Sequence, residues 1–260
     1  MIKFFRKIRK ELLNEGKTTK YLKYAIGEVI LVVIGILIAL SVNNWNEIRK
    51  QRIEEIGLLR NLKTDFEIKT KQLQEEYEIN KKLNANTIRF MMSQLNHQVE
   101  TFDLKDYLYF GDYYPTSTHI NSLEVALDGN SVNIFRSDSL VNMLRKLKVN
   151  LVNLEIDAAY MDETWSGSLV PFFEESGLEI HRFAFIHKGI KPDPEILKGI
   201  DMKVFANEVS NLASIQVLWL NKQKVIHEEM NNIIDHAHAI VMDLSEAGLS
   251  VARALGRRGI

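Results

Sequence analysis

Three patterns of hydrophobic spacing follow one another along the chain. Residues 25–42, AIGEVILVVIGILIALSV, hold one charge, Glu28, and no polar face. About 20 apolar residues at ~1.5 Å each cross a hydrocarbon core of about 30 Å, so the run, extended over 21–45, predicts a transmembrane helix. Tyr21 and Tyr24 before it and Trp45 after it suit the two aromatic belts. A cleaved signal peptide competes, with Ala39 and Ser41 as the small residues at the cut. The basic region before the run exceeds twenty residues, and no loosely structured segment follows, which favours an uncleaved anchor.

The second pattern is helical. Residues 46–98 contain no Pro and only Gly57, and are rich in strong helix formers. Leu59, Leu62, Phe66, Leu73, Tyr77, Ile88, Met91 and Leu95 keep a 3/4 spacing that polar residues interrupt near Lys69 and Asn80. If continuous with the span, this helix forms a stalk, with Asn84-Ala85-Asn86 as its weak point. The third pattern is a heptad seam in 203–247: Trp219, Ile226, Ile233 and Ile240 lie seven apart, interleaved with Gln223, Met230, Ala237 and Leu244. Such a seam needs partner helices, and 59–77 and 140–154 of the same chain can supply them.

Between these patterns lie shorter elements. Residues 102–114 concentrate six aromatics and end at Pro115. A short helix over 123–127 is predicted to stop at Asp128-Gly129-Asn130, and Ser137 is placed to N-cap a helix running to about Thr164. Residues 166–201, with Pro171, Pro192 and Pro194, read as an irregular excursion in which 178–187 alternates like a short strand. The fold expected is all-α: a cytoplasmic basic amphipathic segment (1–20), a transmembrane helix (21–45) and an extracytoplasmic antiparallel helical bundle (46–260).

Charge sets the orientation. The net charge of −1 divides into +6 over residues 1–23 and −7 over the rest. Eight Lys/Arg precede the apolar run 25–42, whereas Arg49, Lys50, Arg52 and Arg60 are the four in the twenty residues after it. The positive-inside rule then puts the N-terminus in the cytoplasm and the larger part outside it, in the periplasm of a two-membrane envelope. The first fourteen residues, MIKFFRKIRKELLN, also read as a basic amphipathic helix able to lie on an anionic leaflet. Residues 43–252 hold 22 basic against 31 acidic side chains, which disfavours nucleic acid. With no Cys, thiolate metal sites, disulfides and Cys nucleophiles are excluded.

The N-terminal motifs carry a resemblance. FFRKIR, then EGKTTKYLKYAIGEVILVVIGILIAL and the exit NNWNE resemble the start of DUF6090, a family of single-pass membrane proteins of unknown function common in Bacteroidota. The likeness covers residues 1–50 well and thins to Ala126-Leu127, Gly129, Ile134, Ser137-Asp138-Ser139-Leu140 and Leu144. It implies a membrane location and adds no chemistry.

Candidate sites follow from spacing. Gly27, Leu31, Gly35 and Ala39 share one helix face with Glu28 beside it, a surface on which another membrane helix could pack, although Leu31 interrupts the groove. Trp219, Ile226, Met230, Ile233 and Ile240 form the seam for helix or partner contact. Tyr107, Tyr109, Phe110, Tyr113 and Tyr114 could line a ligand pocket, or cap a bundle end. His227, His236 and His238 lack metal-ligand spacing, and no nucleophile elbow or phosphate loop is present. The expected function is therefore non-enzymatic and without a cofactor: an anchored structural subunit that meets the bilayer and either protein partners or its own copies. The alternative is an extracytoplasmic ligand-binding sensory module that signals through a partner.

Overall fold

The long helix-former run fixes the first element. In a computed structural model, which describes residues 18–95, 104–191 and 193–256, Thr18–Leu95 is one α-helix, α1. The basic segment 1–20 lies almost wholly outside the described residues, as does Phe102 of the aromatic segment. The chain divides into two units, Met1–Glu55 and Ile56–Ile260.

In the first unit, α1 contains the one helix stretch among the described residues long and apolar enough to cross a membrane, and none of its apolar window is buried within the chain. Twelve large aliphatic side chains between positions 26 and 42 are each 47–62% exposed.

The second unit is built of helices joined by turns and loops, with no strand among its described residues. After α1 come α2 (Leu104–Tyr107), α3 (Asn121–Leu127), a 3₁₀ turn (Ser131–Ile134) and α4 (Asp138–Thr164). Next are a π turn (Trp165–Leu169), α5 (Val170–Glu175), α6 (Leu178–Lys188), a second 3₁₀ turn (Pro194–Gly199) and α7 (Met202–Gly256). α4 starts where its cap predicts: the Ser137 hydroxyl accepts from the Leu140 amide at 3.2 Å. Its buried stripe, Leu140, Leu144, Leu147, Leu151, Leu154 and Met161, packs against α7 through Val209, Leu212, Trp219, Ile226, Met230 and Ile233.

Three expectations are corrected. The excursion 166–201 is mostly helix. Pro171 offers no N–H to the carbonyl four residues back, and the chain meets this with the wide turn Trp165–Leu169 before continuing as α5. Residues 178–187 belong to α6 rather than a strand, bounded by Gly177 (φ 74°) and Gly189 (φ 64°) in the left-handed conformation. Its inward residues, Leu178, Arg182 and Phe185, follow a 4/3 spacing, whereas the exposed Ile180, Phe183 and Ile186 produced the apparent alternation. Third, Asn84-Ala85-Asn86 does not weaken α1. The Asn84 side chain is buried and donates to the Ala213 carbonyl (3.2 Å) and to Gln216 Oε1 (3.0 Å) on α7.

Candidate functional site

The polar letters that interrupt the apolar stripe of α1 are what build the site. The buried face keeps its period from Leu59 through Leu62, Phe66 and Leu73, then changes chemistry at Asn80, Asn84 and Thr87, all nearly fully buried. The segment between α2 and α3 lies against these residues, and its backbone groups need partners there. Asn80 clamps Tyr114 twice, accepting from its amide (2.6 Å) and donating to its carbonyl (3.0 Å). Thr87 Oγ1 accepts from the Gly111 amide at 3.2 Å. From α7, Gln216 donates to the Gly111 carbonyl (2.8 Å) and the Asp112 carbonyl (3.2 Å), and Gln223 donates to Thr116 Oγ1. Gly111 is required at its position: φ is 85°, and a Cβ would lie 2.8 Å from Leu169 Cδ1.

The clamped segment forms one wall of an open cleft of about 640 Å³. Tyr109, Tyr113, Tyr114 and Trp165 give it aromatic surface, and Ile79, Leu83 and Ile186 give it aliphatic surface. Its polar groups are Asp112, Asp162 and Arg182. Arg182 reaches in from α6, bonding Asp112 Oδ1 at 2.8 Å and the Leu108 carbonyl at 2.9 Å. Its guanidinium also lies over the rings of Trp165 (4.8 Å) and Phe173 (5.6 Å). Burial pushes the Asp112 carboxyl up to about 6, against the opposing pull of Arg182. The Tyr113 hydroxyl donates to Asp162 Oδ1; burial first, and then this bond and the carboxylate's charge, push the phenol well above its usual range.

The predicted aromatics divide between cleft and core. Tyr109, Tyr113 and Tyr114 line the cleft. Phe110 is buried, stacked on Phe90 at 4.6 Å, and Tyr107 packs edge-on against both. Around them Phe205, Phe172 and Phe173 complete an aromatic cluster. The seam residues Trp219, Ile226, Met230 and Ile233 are buried within this chain, and Ile240 is partly buried. Gly27, Leu31, Gly35 and Ala39 are exposed, Glu28 is half-buried, and a Cβ at Gly27 or Gly35 would meet nothing within 4 Å. Sequence reasoning passed over Asp112, Asp162, Trp165 and Arg182. One signal was present: Arg182 is the only Lys or Arg in the run 178–187.

Among the described residues, no group of three or more His, Asp or Glu side chains could hold a metal ion. His236 instead meets the Ser137 hydroxyl at 3.1 Å, and His227 meets Asn231 at 3.3 Å. No curated protein and no solved structure matches the chain. The family match begins inside the apolar run and ends in α3, so it spans the segment clamped by Asn80 and Thr87. It leaves out α4 and α7, and with them Asp162, Arg182 and Gln216. Residues 28–122 match the model of the Family of unknown function (DUF6090), the family that the N-terminal motifs resemble.

Proposed function

We propose that this chain is a membrane-anchored envelope protein that holds a helical domain outside the cytoplasmic membrane and works through protein contacts rather than catalysis. The observation that carries this reading is the apolar surface that the chain leaves uncovered. In the first unit, twelve exposed aliphatic side chains at ~1.5 kcal/mol each would cost of order 20 kcal/mol in water, which supports a bilayer as their surroundings. In the second unit, Val149, Val152, Ile156 and Tyr160 form an exposed stripe on α4, and Leu218 and Val225, seven residues apart, are exposed on α7. Leu218, Val225 and Tyr160 border a groove of about 480 Å³ between α4 and α7. Patches of this kind on soluble surfaces mark contact sites.

Photo-crosslinking residues at positions 218 and 225, compared with the exposed Lys224, test the reading in native membranes. Discrete adducts from 218 and 225 alone are expected. Equal labelling from all three positions, or recovery of the chain in the soluble fraction after carbonate extraction, would overturn it.

A second reading, a ligand-binding sensory module, is favoured by the cleft beside the clamped segment. Rings, two carboxylates and an arginine converge there on an open volume large enough for a small molecule.

A further inference from the structure

We infer that the cleft takes a small organic cation, an ammonium group on an apolar body, through Asp162 and the rings of Tyr109, Tyr113 and Tyr114. This rests on the ligand-binding reading and names the chemistry it would use. The cleft already shows how its wall binds a cation. Arg182 is held by a carboxylate, a carbonyl and two ring faces together. With those contacts made, and with its side chain only 16% exposed, Arg182 is poorly placed to receive an anionic ligand.

The other half of the cleft repeats the same ingredients without a cation. Asp162 is exposed, and the partner the structure gives it is neutral, the Tyr113 hydroxyl on Oδ1; among the described residues no Lys, Arg or His pairs with it. The Asp112–Arg182 pair sums to zero, so Asp162 leaves the lining with a charge of −1. Tyr109, Tyr113 and Tyr114 line the same cleft with aromatic surface, and Ile79, Leu83 and Ile186 offer aliphatic contact for the ligand's body. Ring faces attract cations over neutral molecules of the same shape, and a carboxylate adds to that preference.

The test compares choline with its uncharged carbon isostere, dimethylbutanol, by calorimetric titration of the full chain in detergent. Choline is expected to bind at least about fivefold more tightly, to weaken as salt is raised, and to lose that advantage in Asp162→Asn, which keeps the Tyr113 hydrogen bond. Tyr114→Ala, at a ring 56% exposed, gives a second variant with little risk to folding and should weaken choline alone. Equal binding of the two compounds, or an unchanged preference in Asp162→Asn, would sink the cation inference while leaving a ligand site in place. Binding of neither compound at millimolar concentration would remove both the inference and the sensory reading beneath it.

Discussion

The buried amides of α1 and α7 replace hydrophobic contacts with directed ones, and their energetics differ accordingly. Asn84 and Gln216 are 4% and 2% exposed, so removing Asn84 strands Gln216 Oε1 where water does not reach, and removing Gln216 takes one of the two acceptors of Asn84. Asn84→Leu should destabilise the chain by about 1–3 kcal/mol, and Gln216→Leu by at least as much because two loop carbonyls lose their donor as well. The double variant should cost less than the two singles together, since it removes the stranded partner. Urea denaturation followed by Trp fluorescence checks this; strict additivity would mean that the pair is not coupled. Gly111→Ala is expected to be more damaging than an ordinary Gly→Ala change, because it meets both a positive φ and the Leu169 methyl. Asp112 gives the pH dependence. Its carboxyl is raised from 3.8 to about 6 in the folded chain, so the folded state binds the proton more tightly than the unfolded state. This group's contribution is therefore most favourable below pH ~4 and is lost as pH rises to about 6, a swing of up to about 3 kcal/mol. In Asp112→Asn that fall should be missing from the variant's own stability profile across pH 4 to 6, and so appear as the difference between parent and variant; an unchanged profile in the variant would show that another group is responsible.

At the scale of whole elements, the sequence was most legible where period and chemistry agree. Ser137, the stripe of α4 and the interleaved residues of α7 state their roles in both spacing and residue type. Legibility failed where the two diverge. The face of α1 beyond Tyr77 stays buried by period yet becomes Asn, Asn and Thr, because Asn80 and Thr87 meet loop backbone and Asn84 meets the Ala213 carbonyl and Gln216 on α7; following the apolar letters led to Ile88, Met91 and the exposed Leu95. The cleft was half visible for the same reason: its tyrosines cluster in one segment, whereas Asp162 at the end of α4, Trp165 in the π turn and Arg182 on α6 are brought to them only by the tertiary fold. α6 shows a local signal that depends on its ends. Its two bounding glycines have open space around them, so Gly189→Ala should cost only about 1 kcal/mol from the left-handed backbone, with no steric term. Arg182→Met acts differently. It leaves the largely buried Asp112 without its cation, at a cost of about 3 kcal/mol or more. Hydrogen exchange should then accelerate in α6 beyond the effect of Gly189→Ala; equal exchange in the two variants would deny Arg182 its role in pinning the helix.

For the molecule as a whole, the small net charge hides an unequal distribution that decides how the chain would sit in a membrane. Residues 43–260 hold 25 basic and 31 acidic side chains, an acidic balance that gives this part little attraction to an anionic leaflet. The orientation we propose would rest instead on Lys and Arg near the ends of the apolar run, eight before it against four after, since acidic residues count little in that choice. Replacing Lys3, Arg6, Lys7, Arg9 and Lys10 by Gln leaves three before the run and four after it, which removes the bias without touching the helix that would cross. The parent chain, which has no Cys of its own, allows a clean measurement with introduced thiols. A membrane-impermeant maleimide should label Ser214→Cys in cells with a permeabilised outer envelope and label Glu11→Cys only after lysis. The five-Gln chain should lose this asymmetry and show both populations. Retention of a single orientation after the five replacements would mean that the folding of the larger unit, rather than charge beside the apolar run, sets topology. Labelling of Glu11→Cys before lysis in the parent would reverse the orientation proposed for it.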